Sequence, residues 1–128
     1  MVAKTGPALK LSQKEKKAVC KFIAAVRSAY GDKIYSAALF GSKVRGDYTK
    51  YSDVDILLIV DDDKWSFRKD IWMIASGIEL EYAMLLDIRV ISETRWRHMK
   101  NMQAGLYQNI SRDAVPIRFH KKTAPVSA

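Results

Sequence analysis

Val54 to Val60 reads Val-Asp-Ile-Leu-Leu-Ile-Val and is the strongest strand pattern in the chain, because branched aliphatic side chains favour extended backbone. A second run, Ile34 to Phe40, is apolar without polar periodicity, as in a buried strand, and it ends at Gly41-Ser42. Leu85 to Ser92 reads as a third strand. Helices that can cover such strands are visible in the spacing. Ser12-Gln13-Lys14-Glu15 is a capping-box pattern, after which Val19, Phe22, Ile23, Val26 and Tyr30 recur at helical spacing until Gly31 stops the helix. A second helix is expected from about Lys64 to Met84, with Phe67, Ile71, Ile74, Ala75, Ile78 and Tyr82 on one side. The triplet Asp61-Asp62-Asp63 is expected to cap it and to favour the positive end of its dipole. Ser92-Glu93 opens a last helix through Trp96 and Met99 to about Met102. From Ala104 the pattern weakens, and Ala114 to Phe119 suits a short strand or an extended segment. The order α-β-β-α-β-α with a ragged end predicts an α/β or α+β fold: a small mixed sheet flanked by helices on at least one face.

With 128 residues, the expectation is a single domain over 12–119, preceded by a loose lead-in over 1–11 and followed by a disordered tail over 120–128. No apolar run approaches the length that spans a bilayer, and residues 1–10 lack the apolar core of a secretory signal. One cysteine, Cys20, excludes an internal disulfide and a cysteine-based zinc cluster; it is expected as a small, partly buried residue of the first helix. A soluble, cytoplasmic protein is the expectation. The formal charge of +8 is unevenly spread. Residues 1–33 carry +6, residues 34–60 are neutral, residues 61–92 carry −3 and residues 93–128 carry +5. Basic ends around a neutral-to-acidic centre suit a polyanionic ligand or an acidic partner, or simply a well-solvated surface.

The chemistry is concentrated between the first two strands. Gly41-Ser42 directly follows a buried strand, where a glycine lets backbone approach a ligand closely and the hydroxyl and amide N–H groups can hold phosphate oxygens. A short helix beginning here would add its positive end. Lys43 and Arg45 follow, placed to meet phosphate charge. Asp53 and Asp55 stand two apart at the start of a strand, so both carboxylates share a face. Like charges that close repel, and a divalent cation relieves the conflict; Mg²⁺ takes oxygen ligands from one or two carboxylates plus substrate phosphates.

Gly-Ser, the ten residues Lys43 to Ser52, then Asp53-Val54-Asp55, resembles the active-site signature of the nucleotidyltransferase superfamily with the DNA polymerase β-type fold. Four fixed residues at this spacing occur by chance in on the order of one chain in a thousand of this length, from average composition. The resemblance implies that Mg²⁺ sits on Asp53 and Asp55, that Gly41 and Ser42, with Lys43 and Arg45, hold the triphosphate of ATP, and that a third carboxylate on a neighbouring strand completes the metal site. Asp87, which interrupts Leu85 to Ile91, is the candidate; Glu79 and Glu81 are poorer ones, late in a helix. Within the superfamily, Ile34 to Val115 looks like the minimal nucleotidyltransferases, called MNT, which act as antitoxins by attaching AMP to a tyrosine of an all-α ribonuclease toxin of the HEPN type. The short chain fits an acceptor supplied by another protein. Two alternatives stay open: transfer to the 3′ end of an RNA, suggested by the basic ends, and a non-catalytic antitoxin that covers its partner. His98 and His120 lack companions at metal-ligand spacing, and Trp65, Trp72 and Trp96 suit core or interface packing better than base stacking.

Overall fold

The structure, a computed structural model, describes residues 11–46 and 53–117. Helix α1 (Gln13–Tyr30) leads through a 3₁₀ turn (Gly31–Lys33) into strand β1 (Ile34–Phe40), followed by the short helix α2 (Ser42–Arg45). Strand β2 (Val54–Val60), helix α3 (Trp65–Tyr82) and strand β3 (Leu86–Ser92) come next. Helices α4 (Glu93–Asn101) and α5 (Gly105–Asp113) and strand β4 (Val115–Ile117) complete the order. The four strands form one mixed sheet in the order β3-β2-β1-β4. β1 pairs antiparallel with β2 and with β4, whereas β2 and β3 run parallel.

β2 is central, and every residue of it except Asp55 is buried, which is why its sequence is nearly unbroken aliphatic. Val54, Ile56, Leu58 and Val60 join Leu86, Ile88 and Val90 of β3 in the main core, against α1 and α3. The alternate residues Leu57 and Ile59 face the other way and pack with Ile91 and with Ile110 of α5. Asp55 and Asp87 share that second face by the same alternation.

The expected capping box of α1 forms in full: Ser12 Oγ accepts from Glu15 N at 3.1 Å, and Glu15 Oε1 accepts from Ser12 N at 2.9 Å. Ala18, Val19, Phe22, Ile23 and Val26 are buried. Gly31 ends the helix without a left-handed turn: its φ is −48°, and the chain tightens into the 3₁₀ turn instead. Cys20 is exposed, because it lies off the apolar stripe that its neighbour Val19 belongs to. Against α1 lies α3, which buries Ile71, Ala75 and Ile78. Tyr30 donates to Asp70 Oδ2 at 2.7 Å and meets Phe67 edge-on, with ring centroids 4.9 Å apart.

Three other expectations are corrected. The aspartate triplet does not cap α3; Lys64 is the capping residue and supplies no side-chain bond. Asp63 reaches across the sheet end instead, accepting from Ser92 N at 3.2 Å and Arg95 Nη1 at 2.9 Å, where a charged donor outcompetes helix amides. α3 stops at Tyr82 rather than Met84, because Ala83 adopts a left-handed conformation with φ 52°. The helix after Ser92 is not the last. Another left-handed residue, Gln103 with φ 53°, turns the chain into α5, whose polar sequence shows only Ile110 fully buried. Trp96 of α4 and Tyr107 of α5 pack with ring centroids 4.9 Å apart. The short strand expected after Ala114 is β4; the lead-in over 1–10, the loop 47–52 and the tail lie outside the described residues.

Leu58→Ala removes a side chain with no exposure from the central strand and is expected to lower unfolding free energy by about 2–5 kcal/mol. Leu80→Ala, at an 85% exposed position of α3, should change it by less than about 0.5 kcal/mol. Urea titration of the two variants measures the difference.

Candidate active site

Strand register assembles the site. In the parallel ladder Asp55 stands opposite Asp87, and in the antiparallel ladder it stands opposite Phe40. An irregularity between Ile34 and Ser36 shifts the β1–β2 pairing by one residue, from Ile34↔Val60 to Ser36↔Ile59, and so sets the Phe40–Asp55 pair. Gly41 therefore begins its turn directly over the Asp55 carboxylate. Its φ is +85°, and a Cβ built there would lie 2.8 Å from Asp55 Cγ and overlap the carboxylate oxygen. Glycine is required twice at this position, for the positive φ and for the close approach.

Asp55, Asp87 and Asp53 are all half-buried. Burial is the foremost reason that the Asp55 carboxyl is pushed up from the usual 3.8 to about 7. The hydrogen bond it shares with Asp87 and the negative charges of Asp87 and Asp53 act in the same direction, while the Arg89 guanidinium opposes them. The Asp55 carboxyl, hydrogen-bonded to Asp87 and with Asp53 in Coulombic reach, belongs to a set of hard oxygen donors whose repulsion a divalent cation would remove. The residues therefore fit Mg²⁺. Among the described residues no three acidic, His or Cys groups are gathered closely enough to form a metal cluster by themselves.

Gly41, Asp55 and Asp87 are thus brought together, with Asp53 one turn of the strand pattern away. Ser42 and Arg45 belong to α2, but the side-chain roles expected of them fall outside what is described. Lys43 has a role the spacing did not indicate. Its side chain is buried, and Nζ lies 2.8 Å from Glu15 Oε2, so the charge ties α2 to the first turn of α1. Burial pushes the Glu15 carboxyl up, but the Lys43 hydrogen bond and the Ser12 donors outweigh it and hold it below its usual value. Sequence reading missed this because Glu15 already had a local explanation in the capping box. Glu79 and Glu81 are engaged elsewhere: Glu79 Oε2 accepts from Leu86 N at 2.8 Å, and Glu81 pairs with Lys21 at 2.8 Å. A cavity of about 310 Å³ adjoins Asp87 along β3, with Arg68, Trp72, Arg89 and Arg95 in its wall.

The sequence pattern of the family described as "Nucleotidyltransferase domain" matches residues 19–110, which spans α1 through Ile110 of α5. The chain belongs to this family. As a nucleotidyltransferase it shares 38% identity over 96 residues with a protein of Methanocaldococcus jannaschii named "Putative protein adenylyltransferase MJ0604", covering 75% of this chain and 90% of that one. A second protein of the same archaeon, "Putative protein adenylyltransferase MJ0141", is 38% identical over 64 residues, covering 49% of this chain and 65% of the relative. Among solved structures, a "putative nucleotidyltransferase" from Sulfolobus solfataricus aligns with a TM-score of 0.45 and 17% identity over 88% of this chain and 93% of that one. The toxin–antitoxin MntA–HpeT, as a mutant, aligns with a TM-score of 0.46 and 16% identity over 78% of this chain and 72% of that one. Among the described residues of the nucleotidyltransferase, no helix is long and apolar enough to cross a membrane.

Two outcomes test the site. An aspartate raised from 3.8 to about 7 binds more protons folded than unfolded, so its contribution to stability is lost as pH rises between those values. Without metal, the melting temperature is expected to fall from about pH 4 to pH 7, less so in Asp87→Asn and less so when millimolar Mg²⁺ is present; calorimetry across this range checks it. Lys43→Ala leaves the Glu15 carboxylate without its counter-charge and should cost about 3–5 kcal/mol in denaturant unfolding.

Proposed function

We propose that this nucleotidyltransferase transfers AMP from ATP to a hydroxyl of a partner protein, a tyrosine of a HEPN-type toxin, and so acts as the antitoxin. The observation that carries the reading is the Asp55–Asp87 pair beneath Gly41, with Asp53 in Coulombic reach. The relatives named as protein adenylyltransferases support a protein acceptor.

Asp53, Asp55 and Asp87 would hold Mg²⁺, which when bound supplies charge stabilisation to the phosphates and lowers the barrier to displacement. Gly41 clears the space above Asp55, so that the triphosphate can lie against backbone N–H groups of the turn into α2. Lys43, fixed by Glu15, holds that turn in place. The acceptor oxygen forms a bond to the α-phosphorus while the bond to the bridging oxygen breaks and pyrophosphate leaves. Asp87, at the outer side of the pair, takes the hydroxyl proton. Positioning and electrostatics carry most of such a displacement.

Incubating the protein with labelled ATP, Mg²⁺ and the toxin encoded beside it should label the toxin. Asp53→Ala combined with Asp55→Ala should lower the rate at least about a hundredfold, in line with loss of groups that stabilise transition-state charge. Labelling that persists in this variant, or that appears on RNA 3′ ends and not on the toxin, overturns the proposal.

A further inference from the structure

Resting on the adenylyl-transfer reading, we infer that the groove beside Asp87, walled by Arg68, Arg89 and Arg95, receives an acidic polypeptide segment of the acceptor, next to the hydroxyl that is modified. The groove has a volume of about 310 Å³ and includes Asp87 in its lining, so whatever occupies it lies against the candidate base. That volume is at the small end for ligand sites and takes a few side chains rather than a folded surface.

Its charge has a direction. Arg95 is tied to Asp63 at 2.9 Å. Arg68 stacks 5.5 Å from the centroid of the Trp72 ring, and its Nε is buried without a hydrogen-bond partner among the described residues. Arg68 lines the groove, so its guanidinium is a charged donor beside whatever carboxylate lies there. Arg89 is exposed on the same strand as Asp87 and adds a second guanidinium suited to carboxylate.

The surroundings favour polypeptide over nucleic acid. Among the described residues β3 is an edge strand, and the groove follows Ile88 to Ile91 along it. Side chains cap its outward groups near each end: Glu79 takes Leu86 N, Trp72 Nε1 donates to Ile88 O at 3.2 Å, and Asp63 takes Ser92 N. A short extended segment would lie along the strand between these bonded groups. Met99 and Leu106 add an apolar wall. Trp72 is a poor platform for a base, since its ring is engaged by Arg68 and by Trp65 edge-on at 5.7 Å.

The test is fluorescence anisotropy with the full chain, without ATP or metal. The probes are a labelled octapeptide of one tyrosine flanked by glutamates, its glutamine counterpart, its lysine counterpart and a uridine octanucleotide. The glutamate peptide should bind about tenfold more tightly than the glutamine one, and Arg68→Gln or Arg89→Gln should each lose about five- to tenfold of that affinity. Lys17→Gln, on the exposed face of α1, should leave binding unchanged. Arg89→Glu should invert the preference toward the lysine peptide, a result that damage to the fold does not produce. Equal affinity for the glutamate and glutamine peptides, or an oligonucleotide bound more tightly through the same arginines, overturns the inference. Absent AMP transfer with the peptide preference intact overturns the adenylyl-transfer reading and leaves the groove standing. Intact transfer with no peptide preference overturns the groove alone.

Discussion

A negative charge placed in a buried central strand is the constraint on which the rest of this structure depends. β2 is covered on both faces along most of its length, yet Asp55 interrupts it where the sheet meets the turn at Gly41. Carboxylates are disfavoured in such strands, and the register makes the conflict worse by setting Asp87 directly opposite. The protein tolerates this by leaving both acids only half-buried, and by holding the proton on Asp55 up to near neutrality. Proteins retain such conflicts at functional sites, and under the proposed function a metal and a triphosphate would resolve this one.

The neighbouring elements are arranged around that point. The bulge in β1 sets which residue faces Asp55, and the positive φ of Gly41 turns the chain away before any side chain can intrude. α2 is too short to be stable alone and is held through Lys43 to Glu15, a residue that serves the cap of α1 at the same time. Stability of the first helix and placement of the turn after Gly41 are therefore linked through one carboxylate. On the far side, Asp63 links the start of α3 to the start of α4 across the end of β3, so the groove beside Asp87 is framed by bonds from two elements.

Much of this was legible in order of residues. A short apolar run announced β1, aliphatic-rich runs announced β2 and β3, and helical spacing announced α1 and the inner face of α3, because burial leaves its mark in sequence. The Gly-Ser and Asp-x-Asp spacing indicated the chemistry that family membership supports. α5 was not legible, since one buried isoleucine in nine residues gives no periodic signal. The aspartate triplet misled for a related reason: a cap is a local explanation, and the actual partners of Asp63 lie about thirty residues away, at Ser92 and Arg95.

Sequence alone determined the strands, the main helices and the motif that carries Asp53 and Asp55, since each depends on contacts or spacings close along the chain. Only the tertiary structure decided that Asp87 stands opposite Asp55, that Lys43 is engaged by Glu15, and that Arg68 and Arg95 from separate helices meet at the edge of β3. Those facts depend on strand register and on which faces pack together. Register is set by cooperative burial across the whole sheet, where a shift of one residue would turn every side chain of a strand to the opposite face.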